Sequence, residues 1–494
     1  MPPADHRQAY ELIRQGDVEG ALRFTAALLA EPVPSQGAFA ARAAALKAAG
    51  RKPEALDVNR ATLARYPNSA VAWHNLASTL GDLGQAEEAE SAARRAVELG
   101  LNAPETRLVL ARALQAQNRF DEAEAAFRAA LDARPAYEEA QTELAQLIWM
   151  RTADRRAALA RLSRAAAEHP GHPGLSYALA VAQEFTGQPE AARATAEAGL
   201  AAAPQDRRLL GLAVELCGKL DDPEAALRWA RLGARDDAAG RAVLAQALLA
   251  VGDGEGAVAA AARAVALAPL DQYALALLTT AWRLTGDPRY RQTCDYDRLV
   301  ASYDIVDPDT AEGAGFLEEL RAALRRLHRF TTHPFAQSVR QGSQAPLRLD
   351  GTHEPVIERL LQMLRETVAR RIAELPPGDD AFARRNTGRA EMTGAWSIRL
   401  GASGHHADHV HPMGWISSAF YVSTPDDTAD AEARSGWIGF GHPGVRTRPE
   451  LPAERFVQPR PGRLVLFPSY MWHGTVPYAS DQERMTVAFD AVPA

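Results

Sequence analysis

The feature that most constrains this chain is a repeat of 34 residues in its N-terminal half. Small residues and prolines recur at that interval: Ala21, Ala55, Ala89 and Ala123, then Ala192 and Ala226, and also Pro170 and Pro204. A fixed period of this size indicates stacked helical hairpins, in which each unit buries its apolar face against its neighbours. We therefore expect an all-α array in which alanines allow the helices to approach closely and prolines close each unit.

The clearest unit contains Trp73, Leu76, Ala77, Leu80, Gly84, Ala89, Ala93 and Ala96. This pattern resembles the tetratricopeptide (TPR) repeat, and we expect about eight such repeats between residues 5 and 287. The resemblance implies a superhelix whose concave surface receives an extended peptide or a partner helix. Recruitment of a protein partner is the favoured role, with dimerisation or spacing as the alternative. The oligomeric state is left open.

The chain changes character after about residue 288. An apolar stripe with helical spacing predicts a helix that packs one face on a sheet: Ile357, Leu360, Leu361, Leu364, Val368 and Ile372. Short strand-like runs follow, separated by glycine, proline or aspartate; they begin at Trp396, Ile416, Gly436, Arg463 and Met485. Many short strands at such spacing predict a sandwich or jelly roll. Residues 288–494 are thus expected to form a β domain with flanking helices, and the whole chain an α+β multidomain protein.

Histidines are concentrated in this second half. Four of them lie within seven residues at His405, His406, His409 and His411, and His473 follows in the run Phe-Pro-Ser-Tyr-Met-Trp-His-Gly. In an extended segment, His409 and His411 project to the same side and can hold one metal ion, with His473 as a third ligand. A second register is also open, because the run from His406 to Asp408 reads His-x-Asp.

The last strand-like run carries a candidate anion site. Its residues alternate, so that Arg484 and Thr486 share one face while apolar side chains occupy the other. An inward arginine needs an anion, and a guanidinium binds a carboxylate through two parallel hydrogen bonds. Thr486 can donate another, and Tyr421 is a candidate to line the same pocket. A salt bridge from Arg484 to Asp481 or Glu483 is the alternative.

Four ordered motifs together resemble the bacterial 2-oxoglutarate/iron(II) oxygenases over roughly residues 290–494. They are His409-Val-His411-Pro, Trp415-Ile-Ser-Ser-Ala-Phe-Tyr-Val, Gly462-Arg-Leu-Val-Leu-Phe-Pro-Ser-Tyr-Met-Trp-His473 and Arg484-Met-Thr-Val-Ala-Phe. The segment Gln337-Ser-Val-Arg-Gln-Gly-Ser-Gln344 is also similar to that family, and it brings Gln337 and Arg340 into consideration by resemblance only.

The resemblance implies a double-stranded β-helix of the jelly-roll, cupin-like kind. It also implies an Fe(II) site that includes His409 and His473, with 2-oxoglutarate as cosubstrate and O2 as oxidant. Arg484 would bind the C5 carboxylate of 2-oxoglutarate. The family's usual triad has a carboxylate where His411 stands, so it remains open whether His411 or a carboxylate completes the site.

The composition limits the classes of binding partner and the cellular compartment that we expect. The net charge is −7 with both signs interspersed, which gives no basic stripe for nucleic acid. Only Cys217 and Cys294 are present, too few for a disulfide framework and typical of a reducing compartment. No apolar run reaches the roughly 20 residues of a membrane helix, and the N-terminus lacks the apolar segment of a signal peptide. We expect a cytoplasmic protein without membrane or nucleic-acid partners.

The sequence thus favours an Fe(II)- and 2-oxoglutarate-dependent dioxygenase that hydroxylates a protein or peptide side chain brought to it by the repeats. The alternative is a non-catalytic TPR scaffold or binding protein, whose degenerate cupin-like domain holds a metal or a small acid without turnover.

Overall fold

The computed structural model describes residues 6–375 and 378–494, so residue 5, the expected start of the repeat domain, lies outside the described part. Seventeen described helices succeed one another up to residue 285: α1 (Arg7–Arg14), α2 (Val18–Leu29), α3 (Gln36–Ala48), α4 (Lys52–Arg65), α5 (Ala70–Asp82), α6 (Ala86–Glu98), α7 (Pro104–Ala116), α8 (Phe120–Ala133), α9 (Glu138–Thr152), α10 (Arg155–Glu168), α11 (Pro173–Phe185), α12 (Pro189–Ala202), α13 (Arg207–Lys219), α14 (Pro223–Leu232), α15 (Ala238–Val251), α16 (Gly254–Leu267) and α17 (Gln272–Thr285).

The repeat alanines lie where these helices cross. Ala21, Ala55, Ala89 and Ala123 are all 0% exposed, because a methyl side chain is small enough for two helix backbones to approach. The turns between the helices are also determined by local sequence. Gly84 joins α5 to α6 with a φ of 74°, a left-handed conformation that glycine adopts without strain. The predicted helical repeats are confirmed.

The chain divides into two compact units, residues 1–147 and 148–494. In the second unit, one apolar core runs from repeat helices into the β-rich region: Leu278 of α17 belongs to the same cluster as Phe440 and Phe489. The division into functional domains at residue 288 stays a prediction, since that position lies inside a compact unit. No helix of the described residues combines the length and the apolar character needed to cross a membrane.

Beyond the repeats, the second unit contains four helices and nine strands among its described residues. The helices are α18 (Arg289–Thr293), α19 (Tyr296–Leu299), α20 (Ala311–Leu327) and α21 (Pro355–Glu374). The strands are β1 (Ala301–Asp304), β2 (Val339–Leu347), β3 (Ala390–His406), β4 (Ile416–Ser423), β5 (Ile438–Phe440), β6 (Arg455–Val457), β7 (Arg463–Pro468), β8 (His473–Thr475) and β9 (Arg484–Pro493). Single 3-10 turns cover Ala383–Arg385 and Asp426–Ala429.

The strands form two antiparallel sheets. The larger has the order β1-β7-β4-β9-β3-β2, and the smaller has the order β6-β5-β8. The five predicted strand runs correspond to β3, β4, β5, β7 and β9. The predicted apolar stripe is the buried face of α21, which contacts β3. A β-rich C-terminal region is therefore confirmed, whereas its closure into a jelly roll stays a prediction.

Candidate metal centre

Three histidine side chains converge at one point of the second unit. His409 and His411 follow β3, and His473 begins β8. One potential ligand atom from each lies within 4.8 Å of those of the other two. The backbones of His409 and His473 are joined by two hydrogen bonds, with N···O distances of 2.9 and 3.1 Å. This β-bridge brings together two histidines that are about sixty residues apart in the sequence.

Each imidazole is held by the nitrogen that faces away from this point. The Nδ1–H of His409 donates to the carbonyl oxygen of Ala407 (2.8 Å), and that of His473 donates to the carbonyl oxygen of Met471 (2.9 Å). His411 Nδ1 lies 2.8 Å from Oδ2 of Asp490. Carbonyl and carboxylate oxygens only accept, so these contacts place the proton on Nδ1 and leave Nε2 with a free lone pair. Partners of this kind fix the tautomer of metal-ligating histidines.

The free lone pairs face one another. Nε2 of His409 lies 3.2 Å from Nε2 of His411. Two acceptors repel at that distance unless a proton or a cation lies between them. Three neutral imidazoles suit iron, zinc, nickel or copper. The donor set therefore fits a divalent transition metal.

Burial keeps two of these histidines, His409 and His473, neutral. Burial, with the neighbouring His411, lowers the pKa of His409 to about 3. Burial likewise holds the pKa of His473 well below its usual range, and the nearby His409 adds to this effect. Metal ligation requires an unprotonated imidazole, so both side chains are ready to bind at neutral pH.

Asp490 is a functional candidate that sequence reasoning missed. It accepts from Nδ1 of His411, and its other oxygen accepts from the hydroxyl of Ser417 at 2.7 Å. Asp490 thus lies behind His411 and is not one of the three converging side chains. Alternation along β9 could have identified Asp490 from the sequence, because it is six residues beyond Arg484 and therefore lies on the same face of the strand.

The alternative pair, His406 and Asp408, is not brought together at this point. His406 stacks on His409 with ring centroids 5.9 Å apart, and its Nδ1 lies 3.0 Å from the Ser338 hydroxyl. The Asp408 carboxylate accepts instead from Nδ1 of His442 at 2.9 Å. The geometry favours His409, His411 and His473 as the ligand set.

Arg484 is buried without an ionic partner. Its side chain is 2% exposed, and among the described residues its Nε has no hydrogen-bond acceptor and no carboxylate forms an ion pair with it. Glu483, one of the two expected alternative partners, pairs instead with Arg325 (2.9 Å) and Arg399 (2.5 Å). An unpaired buried charge is costly, so this guanidinium is placed to receive an anion.

Thr486 and Tyr421 are cross-strand neighbours of each other beside Arg484. Thr486 lines the cavity in front of the histidines, as predicted for its face of β9. Tyr421 instead lies against the arginine, with its ring centroid 5.2 Å from the guanidinium carbon. Its hydroxyl is buried beside the guanidinium, and burial raises its pKa while the charge of Arg484 opposes that shift. Tyr421 is thus positioned to support Arg484.

One cavity of about 510 Å³ joins these features. The three histidines, Arg484, Thr486 and Asp490 all line it. Trp396 forms part of its wall and stacks on His411, with ring centroids 5.9 Å apart. The cavity is large enough for a small acid beside the metal position, and both sheets contribute to its lining.

The last repeat helix, α17, anchors both ligand-bearing segments, which sequence reasoning also missed. Trp472, next to His473, donates its indole N–H to the hydroxyl of Thr280 at 2.9 Å. Pro412, next to His411, accepts at its carbonyl from the backbone N–H of Gln272 at 3.0 Å. Nothing local in the sequence marks contacts between segments more than 130 residues apart.

Comparison with known proteins agrees with these features. Residues 394–490 match the family model described as "Putative 2OG-Fe(II) oxygenase". Tetratricopeptide repeat models match residues 74–138, 108–152 and 152–216. The chain therefore carries TPR repeats in its N-terminal region and a C-terminal domain of this oxygenase family. No curated protein is significantly similar to it.

Several solved structures are similar to this chain, and two of those given below are described as TPR proteins. Pseudomonas aeruginosa pilF is 16% identical, with 42% of this chain and 95% of that one covered and a TM-score of 0.32. The C-terminal part of a TPR repeat-containing protein from Cytophaga hutchinsonii is 15% identical, with 48% and 98% covered and a TM-score of 0.35. A tetratricopeptide repeat protein from Parabacteroides merdae is 14% identical, with 51% and 98% covered and a TM-score of 0.34.

Proposed function

We propose that the protein is an Fe(II)- and 2-oxoglutarate-dependent dioxygenase. One observation carries the proposal: three imidazoles with free Nε2 atoms and a buried, unpaired Arg484 line the same cavity. A metal explains the first feature and a carboxylate the second, and 2-oxoglutarate is a dicarboxylate that can satisfy both. The family match at residues 394–490 supports this assignment.

In this proposal, His409, His411 and His473 hold the iron, and Arg484 with Thr486 holds the C5 carboxylate. Bound iron and 2-oxoglutarate supply the oxidising chemistry, in which O2 is consumed and succinate and carbon dioxide are released. The residues of the chain supply orientation. Ala407, Met471 and Asp490 fix the three rings, since a misdirected imidazole loses affinity for its metal.

The chain also controls which groups carry protons near the metal. Asp490 accepts the Nδ1–H of His411 without occupying a ligand position. Arg484 provides a fixed positive charge in the wall of the cavity, where it can align the cosubstrate. Trp396 and the apolar part of the wall lower the polarity around these groups, which strengthens their electrostatic contacts.

The substrate we propose is a side chain of a protein or peptide, recruited by the TPR domain over residues 5–287. The β domain over residues 288–494 would then be a double-stranded β-helix that carries out the oxidation. The TPR matches support a protein partner, because such arrays present long surfaces suited to peptides. Within this proposal the enzyme acts in the cytoplasm and needs neither membrane nor nucleic acid.

The decisive experiment is anaerobic titration with Fe(II), followed by addition of 2-oxoglutarate and O2 and measurement of succinate. We expect about one ferrous ion per chain and succinate formation that His409→Ala and His473→Ala both abolish. Loss of iron in His406→Ala and Asp408→Ala, with retention in His411→Ala, would support the second register instead.

The histidine in place of the usual carboxylate favours one second candidate. A neutral three-imidazole site also suits zinc, so the domain would bind a metal and a small acid without turnover. Metal binding with no succinate under any iron loading would select this binding function over the oxygenase.

A further inference from the structure

A second cavity adjoins the metal cavity and is not used by the proposed chemistry. Its volume is about 580 Å³. Repeat helices α11, α13 and α15 supply one wall, and residues 442–447 supply the other. His409 and residues 336–338 line both cavities. A ligand that fills the second cavity therefore reaches the surroundings of a proposed metal ligand.

Nearly every charge on this surface is already compensated. Lys219 pairs with Glu184 and with Glu215, the latter at 2.6 Å. Asp408 pairs with His442 at 2.9 Å. Arg446 pairs with Asp221 at 3.0 Å and lies 3.9 Å from Glu450. Each of these groups has an ionic partner within the protein, and Lys219 bridges two carboxylates, which leaves one negative charge in excess at that point.

Arg340 is the exception among the described lining residues. Nη1 donates to the carbonyl oxygens of Gln337 (2.5 Å) and Val339 (3.0 Å), and the guanidinium carbon lies 4.7 Å from the centre of the Phe185 ring. No carboxylate of the described residues lies within ion-pair distance, although Glu184 and Glu215 act on its charge from further away. The arginine is thus held in place at one edge, while Nε and Nη2 remain available for a bidentate contact.

The shape of the cavity points to a chain-like ligand. Helices α11, α13 and α15 are the first members of successive repeats, so the wall they form extends along the array. Tyr177, Val181 and Leu212 provide apolar and aromatic surface along it. Arrays of this kind bind extended segments across several repeats.

We propose that this cavity binds an extended polypeptide segment whose carboxylate, from an acidic side chain or from the C-terminus, pairs with Arg340. A neighbouring residue of that segment then enters the metal cavity past residues 336–338. The inference rests on the proposed function, because only an oxygenase would oxidise the residue that enters the metal cavity. It adds the chemical class of the substrate. An acidic group close to the oxidised residue becomes the specificity determinant.

Binding can be tested independently of oxidation. Full-length, metal-free protein is applied to an array of extended 12-residue peptides, in which each Asp or Glu also occurs as Asn or Gln. Every peptide is present with a free and with an amidated C-terminus. We expect binding to peptides that carry a carboxylate and a loss of about 10- to 100-fold on neutralisation of that group, the range of a charged hydrogen bond. The side-chain and C-terminal arms identify the source of the carboxylate.

Three variants locate the contact. Arg340→Gln should remove the preference for carboxylates, and Arg340→Lys should restore it partly. Arg446→Gln lines the same cavity but removes a charge that is already paired, so it should change binding by less than Arg340→Gln. A preference for basic peptides, no peptide binding at all, or an unchanged carboxylate preference in Arg340→Gln would each overturn the proposal. Because no metal or cosubstrate is present, these results do not depend on whether the protein turns over 2-oxoglutarate.

Discussion

Replacement of Arg484 by methionine should have two opposite effects, on ligand affinity and on stability. In the ligand-free protein the guanidinium is buried without an ionic partner among the described residues, so it contributes a desolvation cost that no pairing offsets. Methionine has a similar length and no charge. We expect the free energy of unfolding of the ligand-free Arg484→Met variant to equal or exceed that of the wild type.

The affinity for 2-oxoglutarate should fall sharply in the same variant. Loss of one partner of a buried charged pair costs about 2–5 kcal/mol, which corresponds to about 30- to 4000-fold in Kd. Anaerobic equilibrium dialysis of labelled 2-oxoglutarate against the Fe(II)-loaded protein measures this change, and urea unfolding measures the stability. Arg399→Met is the matched control, because Arg399 is half-exposed and pairs with Glu483. Unaltered cosubstrate affinity in Arg484→Met would refute the assigned role, and a large loss of ligand-free stability would show that the arginine has a partner within the fold.

Three further changes follow from the contacts around the site. Asp490→Asn should lower metal affinity by about 10- to 100-fold, because His411 loses the carboxylate that fixes its ring; a Co(II) titration measures it. Thr280→Val should destabilise the protein by about 1–3 kcal/mol, because the indole N–H of Trp472 is left buried without an acceptor; urea unfolding measures it. Burial lowers the pKa of His328 to about 4, so the unfolded state binds one more proton between about pH 4 and 6.5, and stability falls as pH falls through that range. His328→Gln should remove about 2 kcal/mol of that loss between pH 7 and 5, measured by unfolding at both pH values.

The first two of these changes each have a control in the chain. Ser423→Ala alters a hydroxyl that does not contact Asp490, and it should leave Co(II) affinity unchanged. Thr285→Val removes only a bond within α17, so a loss equal to that of Thr280→Val would mean that the effect is one of helix propensity. An unchanged pH dependence in His328→Gln would show that the imidazole is protonated in the folded state.

Local patterns predicted the elements and most of the candidate site. The alanine period predicted the helix crossings, because a methyl side chain that recurs once per repeat marks the point where two helix backbones approach. Alternation along β9 predicted that Arg484 and Thr486 share a face, and the spacing of His409 and His411 predicted that both reach one point. These inferences depend only on neighbouring residues, whose geometry is set by the helix or strand they occupy.

Features that depend on distant segments were not predictable in this way. The pairing of Asp490 with His411 requires β9 to lie beside the segment that follows β3, and only the sheet order places it there. Likewise, the contact between Thr280 and Trp472 joins a repeat helix to a β-domain loop, with no trace in either local pattern. Tyr421 was expected on the cavity wall, but cross-strand packing placed its ring against Arg484.

The hydrogen bonds from α17 to both ligand-bearing segments limit the positions at which such a chain can be recombined with another. If the repeats and the oxygenase domain were structurally independent, fusing residues 288–494 to a different repeat array would transfer a complete metal site. In this chain such a fusion would lack Thr280 and the backbone N–H of Gln272. The two ligand-bearing segments would then lose their hydrogen bonds to α17. Exchanges upstream of residue 148 spare those contacts, so variation in the array can accumulate there while its last helix is inherited together with the site.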